Sequence, residues 1–366
     1  MSFTALDYRF MARALRLAAK GARTTHPNPR VGCVITRDCE VVGEAWHERA
    51  GLPHAEVLAL EAAGEAARGA TAYVTLEPCA HHGRTGPCAE ALALAGVNRV
   101  VAATQDPDPR VAGQGFAYLR ESGIRVQSGL LADNAESLNR GFFHRLRQGR
   151  PWVTVKLAAS LDGRTALANG ESRWISGEAA RDDVHRLRAE ASAVLTGSGT
   201  VLADDPRLTA RLEDVTRQPL RVVLDSRLRT PPTSRLLAEE DGSVRIYCGA
   251  EAGSCEALEA AGARVTAFSG PRPDPAGVLR GLAEEEECNE VLVEAGPGLS
   301  GSLLCADLVD EVVLYLAPHL IGDAGQGLFH LPGLESMDQR RPLKIRDLRR
   351  IGEDIRLTLQ PESREP

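Results

Sequence analysis

The sequence predicts two successive α/β units, and three observations carry that expectation. At 366 residues the chain exceeds one comfortable core and suits two domains of about 150 residues each. Short apolar strand-like runs alternate with helical stretches along its length, the pattern of sheets covered by helices. Gly149-Arg150-Pro151 breaks that alternation, which places the division near residue 148 and the domains at 1–148 and 149–366.

In the first half, residues 1–21 lack the continuous apolar stretch of a signal peptide and read as an amphipathic helix with Tyr8, Met11, Leu15 and Ala18 on one face. Strands are expected over 31–36 and 41–46, joined through Asp38, and then over 72–75, 99–103 and 124–127. Helices are expected over 54–67, 88–95, 113–121 and, as a single closing helix, 132–147. In the second half the expected strands are 152–159, 193–196, 220–225, 244–248, 263–267, 290–294 and stretches near 311–317 and 345–359. Helices are expected over 177–190, 254–261, 276–287 and 299–305, and Gly197-Ser198-Gly199-Thr200 as a turn.

Composition excludes several classes. The chain is 43% hydrophobic and 25% charged, as globular proteins are, and no apolar run approaches the roughly 18 residues that span a bilayer. A soluble, cytoplasmic protein without a membrane partner is expected. Residues 1–150 carry 18 basic against 15 acidic side chains and residues 151–366 carry 25 against 35. Neither half has the basic excess of a nucleic-acid binder. Of eight cysteines, six sit in apolar or helical contexts as reduced thiols, and only Cys79 and Cys88 stand apart.

His54-Ala55-Glu56 opens a helix directly after Pro53; further on, a strand ends in Glu77-Pro78-Cys79, and Cys88 opens the next helix. One histidine and two cysteines can hold Zn²⁺ and leave a fourth position for water, and helix N-termini favour thiolates. Glu56 can reach that water without ligating the metal. The arrangement matches the H-x-E and P-C signature of zinc nucleobase deaminases, where zinc lowers the pKa of water and the glutamate passes its proton to departing ammonia. A structural zinc site, with His81 or His82 as fourth ligand, is the alternative. Eight residues separate Cys79 from Cys88, where nucleic-acid deaminases of this signature have two. The longer, partly basic loop suits a small anionic substrate.

That loop, with His26-Pro27-Asn28-Pro29-Arg30-Val31-Gly32 before it and Asp106-Pro107-Asp108-Pro109 after it, resembles the bifunctional riboflavin-biosynthesis deaminase/reductase family. The resemblance implies a cytidine-deaminase-like α/β/α domain with zinc on His54, Cys79 and Cys88 and the proton shuttle on Glu56. It also implies Asn28 and His47 near the pyrimidine, with His82 and Arg84 touching substrate from the loop; a solvated loop position is the other reading of Arg84.

The second half carries Gly296-Pro297-Gly298-Leu299-Ser300-Gly301 between a strand and a helix, a G-x-G-x-x-G through which backbone amides approach a pyrophosphate. Its late position does not suit a standard Rossmann domain, whose fingerprint follows the first strand. Lys156 to Gly163 places a lysine on a strand before a tight turn, and Arg188, Arg207 and Arg211 are spaced to converge on a phosphate. These segments resemble the reductase domain of the same family, which implies a dihydrofolate-reductase-like α/β fold binding NADPH. By that likeness Ala158, Trp174, Thr200, Asp204, Ser226 and Gly296, Pro297, Gly298, Leu299, Ser300, Gly301 and Ser302 border the cofactor. Ser172, Arg188, Leu208, Arg211 and Glu294 hold the substrate, and Lys156 and Glu294 manage protons or charge at the reacting carbon.

The combined expectation is one chain that deaminates a diaminopyrimidine bearing a phosphoribosylamino group, then reduces the ribosyl to a ribityl chain. Rival readings are a nucleoside or nucleic-acid zinc deaminase with an accessory domain, a non-catalytic zinc-stabilised protein sensing NADPH, and a chain with one active domain. Sparse aromatics, at 4%, and the long loop weigh against nucleic acid. The apolar strands near 311–317 could support a homo-oligomer.

Overall fold

The computed structural model describes residues 3–81, 86–239 and 243–362. It divides into two compact units, 1–149 and 150–366.

The first unit contains α1 (Ala5–Ala19), β1 (Gly32–Arg37), β2 (Glu40–Trp46), α2 (Ala55–Ala63), β3 (Thr71–Val74), α3 (Cys88–Leu94), β4 (Arg99–Ala102), α4 (Gln114–Glu121), β5 (Arg125–Ser128), α5 (Ala132–Leu138) and α6 (Arg140–Gln148). Its sheet runs β2-β1-β3-β4-β5, with β1 antiparallel to β2 and β3, and β3, β4 and β5 parallel. Asp38 and Cys39, both at positive φ, make the β1–β2 turn that a two-residue hairpin requires. Strand alternation sends Cys33, Ile35, Ala72, Val74, Val100 and Ala102 to one face, against α2, α3 and α4. Val34, Tyr73 and Val101 go to the other, against Phe10, Met11, Ala14 and Leu17 of α1.

Two expectations need correction here. The buried face of α1 is rotated: Met11 and Ala18 are buried, but Tyr8 is 49% exposed and Phe10, Ala14 and Leu17 take the core. The cause is Asp7, which caps the helix through Thr4 and is buried while receiving Tyr73 Oη and Arg99 Nη1, each at 2.8 Å. Burial alone would raise its carboxyl, yet Arg99, the Thr4 amide and Tyr73 hold it well below the usual range. The closing helix is two, broken at Asn139, whose amide takes Arg30 N at 2.7 Å and gives to Arg30 O at 2.9 Å. A side chain that satisfies a distant backbone in this way competes with its own helix.

The second unit contains β6 (Trp152–Ser160), β7 (Arg164–Ala166), α7 (Glu178–Glu190), β8 (Ala193–Gly197), α8 (Ser198–Asp204), β9 (Leu220–Leu224), β10 (Val244–Cys248), α9 (Glu256–Ala260), β11 (Ala263–Ala267), α10 (Pro275–Glu284), β12 (Glu290–Val293), α11 (Pro297–Cys305), β13 (Glu311–Ala317), β14 (Gln326–Gly327), β15 (Leu343–Ile351) and β16 (Asp354–Pro361). Its nine-stranded sheet runs β11-β10-β9-β8-β12-β6-β13-β16-β15. The strands from β11 to β13 are parallel, and β16 and β15 extend them as an antiparallel hairpin. The stretch expected as a turn at 197–200 starts the helix α8, and β7 pairs with β14 in a small separate sheet. The main core lies where Val153, Val155, Leu195, Val291 and Val293 meet Leu279, Leu282, Leu303 and Leu304. Lys156 and Ala158 take the opposite strand phase, and Ala158 packs with Ala180 and Val184 of α7. Among the described residues, no helix is long and apolar enough to cross a membrane.

Candidate active sites

In the first unit, β3 is followed by buried Thr75 and Leu76, and the chain turns through Glu77-Pro78-Cys79 beside the starts of α2 and α3. His54 is the N-cap of α2 and Cys88 the first residue of α3. His54 Nδ1 lies 3.2 Å from Cys88 Sγ and 3.6 Å from Cys79 Sγ, and the three ligand atoms all fall within 4.8 Å of one another. A tetrahedral Zn²⁺ with bonds of about 2.0 Å to nitrogen and about 2.3 Å to sulfur sets an N–S edge near 3.5 Å. The donor set therefore fits zinc in both chemistry and spacing. Cys88, His54 and the Cys88 amide draw the Cys79 thiol down to about 4, while Cys79 and burial push Cys88 up.

Glu56 lies in the first turn of α2 and is 3% exposed. Burial, then the neighbouring Cys79, raises its carboxyl to about 7, and among the described residues its Oε2 has no hydrogen-bond partner. A buried carboxyl with one unspent oxygen and a proton near neutrality suits proton transfer. His47, also buried, has Nδ1 3.3 Å from Pro53 O and Nε2 3.2 Å from Asn28 Nδ2. A carbonyl only accepts, so Nδ1 carries the hydrogen and Nε2 accepts from Asn28. Burial pushes His47 down, which keeps it neutral. The ring of His47 meets that of His54 edge-on, with centroids 5.3 Å apart. Asn28, His47, Glu56 and the three ligands thus come together; His82 and Arg84 lie outside the described residues.

Glu77 was not singled out by the motif. Its buried carboxylate accepts from Asp106 N at 3.2 Å, Gly113 N at 2.9 Å and Phe116 N at 3.1 Å, pinning the 106–116 segment under the Cys79 turn. Only the tertiary fold brings those amides to it. In the same place a Cβ on Gly115 would stand 1.9 Å from Pro78 O. Gly115→Ala must push the turn away, so it is expected to lower stability by about 1–3 kcal/mol and zinc occupancy with it. Thermal unfolding and metal analysis of the purified variant check this, and unchanged values in both would contradict it.

In the second unit, the parallel strands β9, β8, β12 and β6 end on one edge of the sheet, where open α/β folds bind ligands. Glu294 follows β12 and meets Arg188 of α7 through paired contacts, Nε–Oε1 at 2.5 Å and Nη2–Oε2 at 2.9 Å. Lys156 Nζ stands 3.9 Å from the same carboxylate. Burial would raise Glu294, but Arg188 and Lys156 overrule it and hold the carboxyl down to about 2. Burial lowers Lys156, with Glu294 opposing.

The glycine-rich segment is a loop into α11, with Gly296 as an N-cap that has no side-chain cap. A Cβ on Gly296, Gly298 or Gly199 would meet nothing, so these backbones border open space that a pyrophosphate can enter. Gly301 differs: a Cβ there would lie 2.1 Å from His330 O, so it serves helix packing. Ser300 is buried and donates to Ala295 O at 3.2 Å, whereas Ser302 is exposed. Leu299 packs near Gly197, and Pro297 occupies the first helical position. Trp174 is 72% exposed beneath the Arg181 guanidinium, and Arg173, next to Ser172, donates to Asp204 O at 2.6 Å. Thr200 and Ser226 are half-buried on α8 and after β9. Leu208 buries its side chain with Val194 and Leu292, which leaves only its backbone to a ligand.

Two family models match. "RibD C-terminal domain" matches residues 151–357, and "Cytidine and deoxycytidylate deaminase zinc-binding region" matches residues 4–104. The chain is 49% identical to the riboflavin biosynthesis protein RibD of Escherichia coli, over 96% of this chain and 99% of that one. It is 42% identical to RibD of Bacillus amyloliquefaciens, over 98% and 97%. Among solved structures, Acinetobacter baumannii RibD superposes with a TM-score of 0.92 at 44% identity, covering 98% of this chain and 99% of that one. A diaminohydroxyphosphoribosylaminopyrimidine deaminase/5-amino-6-(5-phosphoribosylamino)uracil reductase from Thermotoga maritima gives 0.85 at 34% identity, covering 97% and 99%.

Proposed function

The chain belongs to the RibD family of bifunctional riboflavin-biosynthesis proteins, and on that premise we propose that residues 1–148 perform the deamination and residues 149–366 the NADPH-dependent reduction. The protein is a hydrolase and an oxidoreductase in one chain, acting on a small pyrimidine, with a zinc-binding deaminase domain and a reductase domain of nicotinamide-dependent type.

The substrate of the first step is 2,5-diamino-6-(5-phosphoribosylamino)pyrimidin-4-one. His54, Cys79 and Cys88 would hold zinc, which when bound supplies the Lewis acid that makes water nucleophilic near neutral pH. Glu56 takes a proton from the attacking water and delivers it to the departing ammonia as the ring amine becomes a carbonyl. His47 and Asn28, locked to each other, orient the ring. The observation that carries this reading is the buried Glu56 oxygen, unpartnered among the described residues, beside three zinc-competent ligand atoms.

In the second step NADPH, when bound, supplies hydride to C1′ of the ribosyl group. Gly296, Gly298, Leu299, Ser302, Thr200, Asp204, Ser226, Ala158 and Trp174 border the cofactor; Ser300 and Gly301 support that loop from inside. Ser172, Arg188, Arg211 and the Leu208 backbone hold the substrate. Glu294 keeps Lys156 charged and aimed, and Lys156 manages the proton that accompanies reduction.

Following ammonia release and NADPH oxidation together on this substrate, with cytidine and a short oligonucleotide in parallel, tests the whole reading. Ammonia followed by equimolar NADPH loss is expected with the pathway substrate alone; turnover of cytidine or the oligonucleotide would overturn the assignment. Removing zinc with a chelator is expected to abolish ammonia release and to spare NADPH oxidation on the already deaminated uracil, since the metal ligands lie in one unit. Loss of both activities would show that the metal supports the entire chain.

A further inference from the structure

His185 lies one turn before Arg188 on α7, a spacing that puts both side chains on one face of the helix. Its Nδ1 accepts from Arg211 N at 3.3 Å. With that nitrogen spent as an acceptor, the neutral ring carries its hydrogen on Nε2. Burial, then Arg211 and Arg188, drive His185 down to about 4, with Glu294 and Asp182 opposing. At neutral pH it is therefore an uncharged donor beside the cations Arg188 and Arg211.

Those cations form one cluster. Arg211 feels the charges of Arg188, Arg207 and Arg235. Two of the four are offset, Arg188 by Glu294 at 2.9 Å and Arg207 by Glu239 at 3.3 Å. Among the described residues, the Arg211 guanidinium makes no hydrogen bond or ion pair. Like charges held together without full compensation raise the free energy of the ligand-free protein, and a dianion entering the cluster relieves that repulsion. A fixed N–H between the arginines adds direction to an otherwise diffuse attraction.

We infer that His185 is a specificity-determining residue of the reductase site, donating from Nε2 to the phosphorylated sugar that Arg188 and Arg211 attract. The inference rests on the reductase reading above. It assigns His185 a contact that charge alone cannot supply: recognition of the phosphate or an adjacent hydroxyl by a directed hydrogen bond that adds no further cation.

The test uses the full-length chain with His185→Ala and His185→Gln, the latter placing an amide N–H near the position of Nε2. With the deaminated phosphoribosylaminouracil, His185→Ala is expected to raise KM about tenfold while kcat stays within about twofold, the loss of one hydrogen bond to a charged group. His185→Gln is expected to recover most of that loss. Ammonia release, a reaction of the other unit, should be the same in all three proteins. Carbon-13 labelling of histidine provides a readout independent of turnover: the His185 signal, identified by its absence from the Gln variant, should move on adding ribose 5-phosphate. An unmoved signal would overturn the inference, as would a fall in kcat at constant KM or equal impairment of Ala and Gln. A signal that moves in a chain unable to oxidise NADPH would uphold the sugar-phosphate contact while removing the reductase reading.

Discussion

Glu56→Gln is expected to lower ammonia release by about 10³-fold while leaving NADPH oxidation on the deaminated uracil within error of the unsubstituted chain. The substitution keeps shape and burial but removes the group proposed to carry the proton. Among the described residues Glu56 Oε2 has no partner to lose, so its replacement by an amide breaks no hydrogen bond of that atom to them. Stability should change little, and zinc content should remain, because His54, Cys79 and Cys88 are intact. Measuring ammonia, metal content and thermal unfolding on one preparation separates catalysis from structure. A purely structural zinc site predicts full activity elsewhere and no effect here; retained deamination would refute the assignment of Glu56.

Glu294→Gln is expected to have the largest effect in the second unit. Glu294 is largely enclosed, its side chain 12% exposed, and balances Arg188 and Lys156 at once. Removing one partner of a buried charged pair leaves the others uncompensated, a loss of about 3–5 kcal/mol. NADPH oxidation should fall steeply while ammonia release persists. The sign of the pH dependence follows from the carboxyl's depressed value. Its folded pKa is about 2 against an unfolded value of about 4.3, so its contribution is fully present above the unfolded value. It is lost as pH falls towards the folded one. Urea unfolding of the two proteins should therefore show a gap at neutral pH that closes between about pH 4 and pH 2. A gap independent of pH would assign the loss to packing.

The parts of the molecule that were legible in the sequence share a physical reason. His54 and Cys88 sit at the starts of helices and Cys79 on the turn that follows a strand, elements whose type was plain from local pattern, so bringing the elements together brought the candidate ligands together. The strand pattern also held, because buried parallel strands are short apolar runs whatever surrounds them. Glu77 was invisible, since an acid that binds three remote amides looks like any other acid before the chain folds. The same is true of Asn139, which ends a helix in order to hold Arg30, and of Asp7, which sets the phase of α1 through Tyr73 and Arg99. At α8, glycine, serine and threonine lower intrinsic propensity, and the helix forms because Val201 packs with Val223 and Leu236. His185 carries no motif, and its environment depends on Arg211, which arrives from a separate segment.

Ala89 N donates to Cys79 O at 3.0 Å and Cys88 N to Cys79 Sγ at 3.4 Å, so the two ends of the 79–88 connection are clasped together. A connection clasped at its two ends can change length without moving the candidate ligands that anchor it, because an insertion adds closure entropy only slowly. On that ground the segment is expected to tolerate exchange as a unit. Transplanting a shorter or differently charged connection between Cys79 and Cys88 should retune which pyrimidines are accepted while the metal-binding framework stays in place.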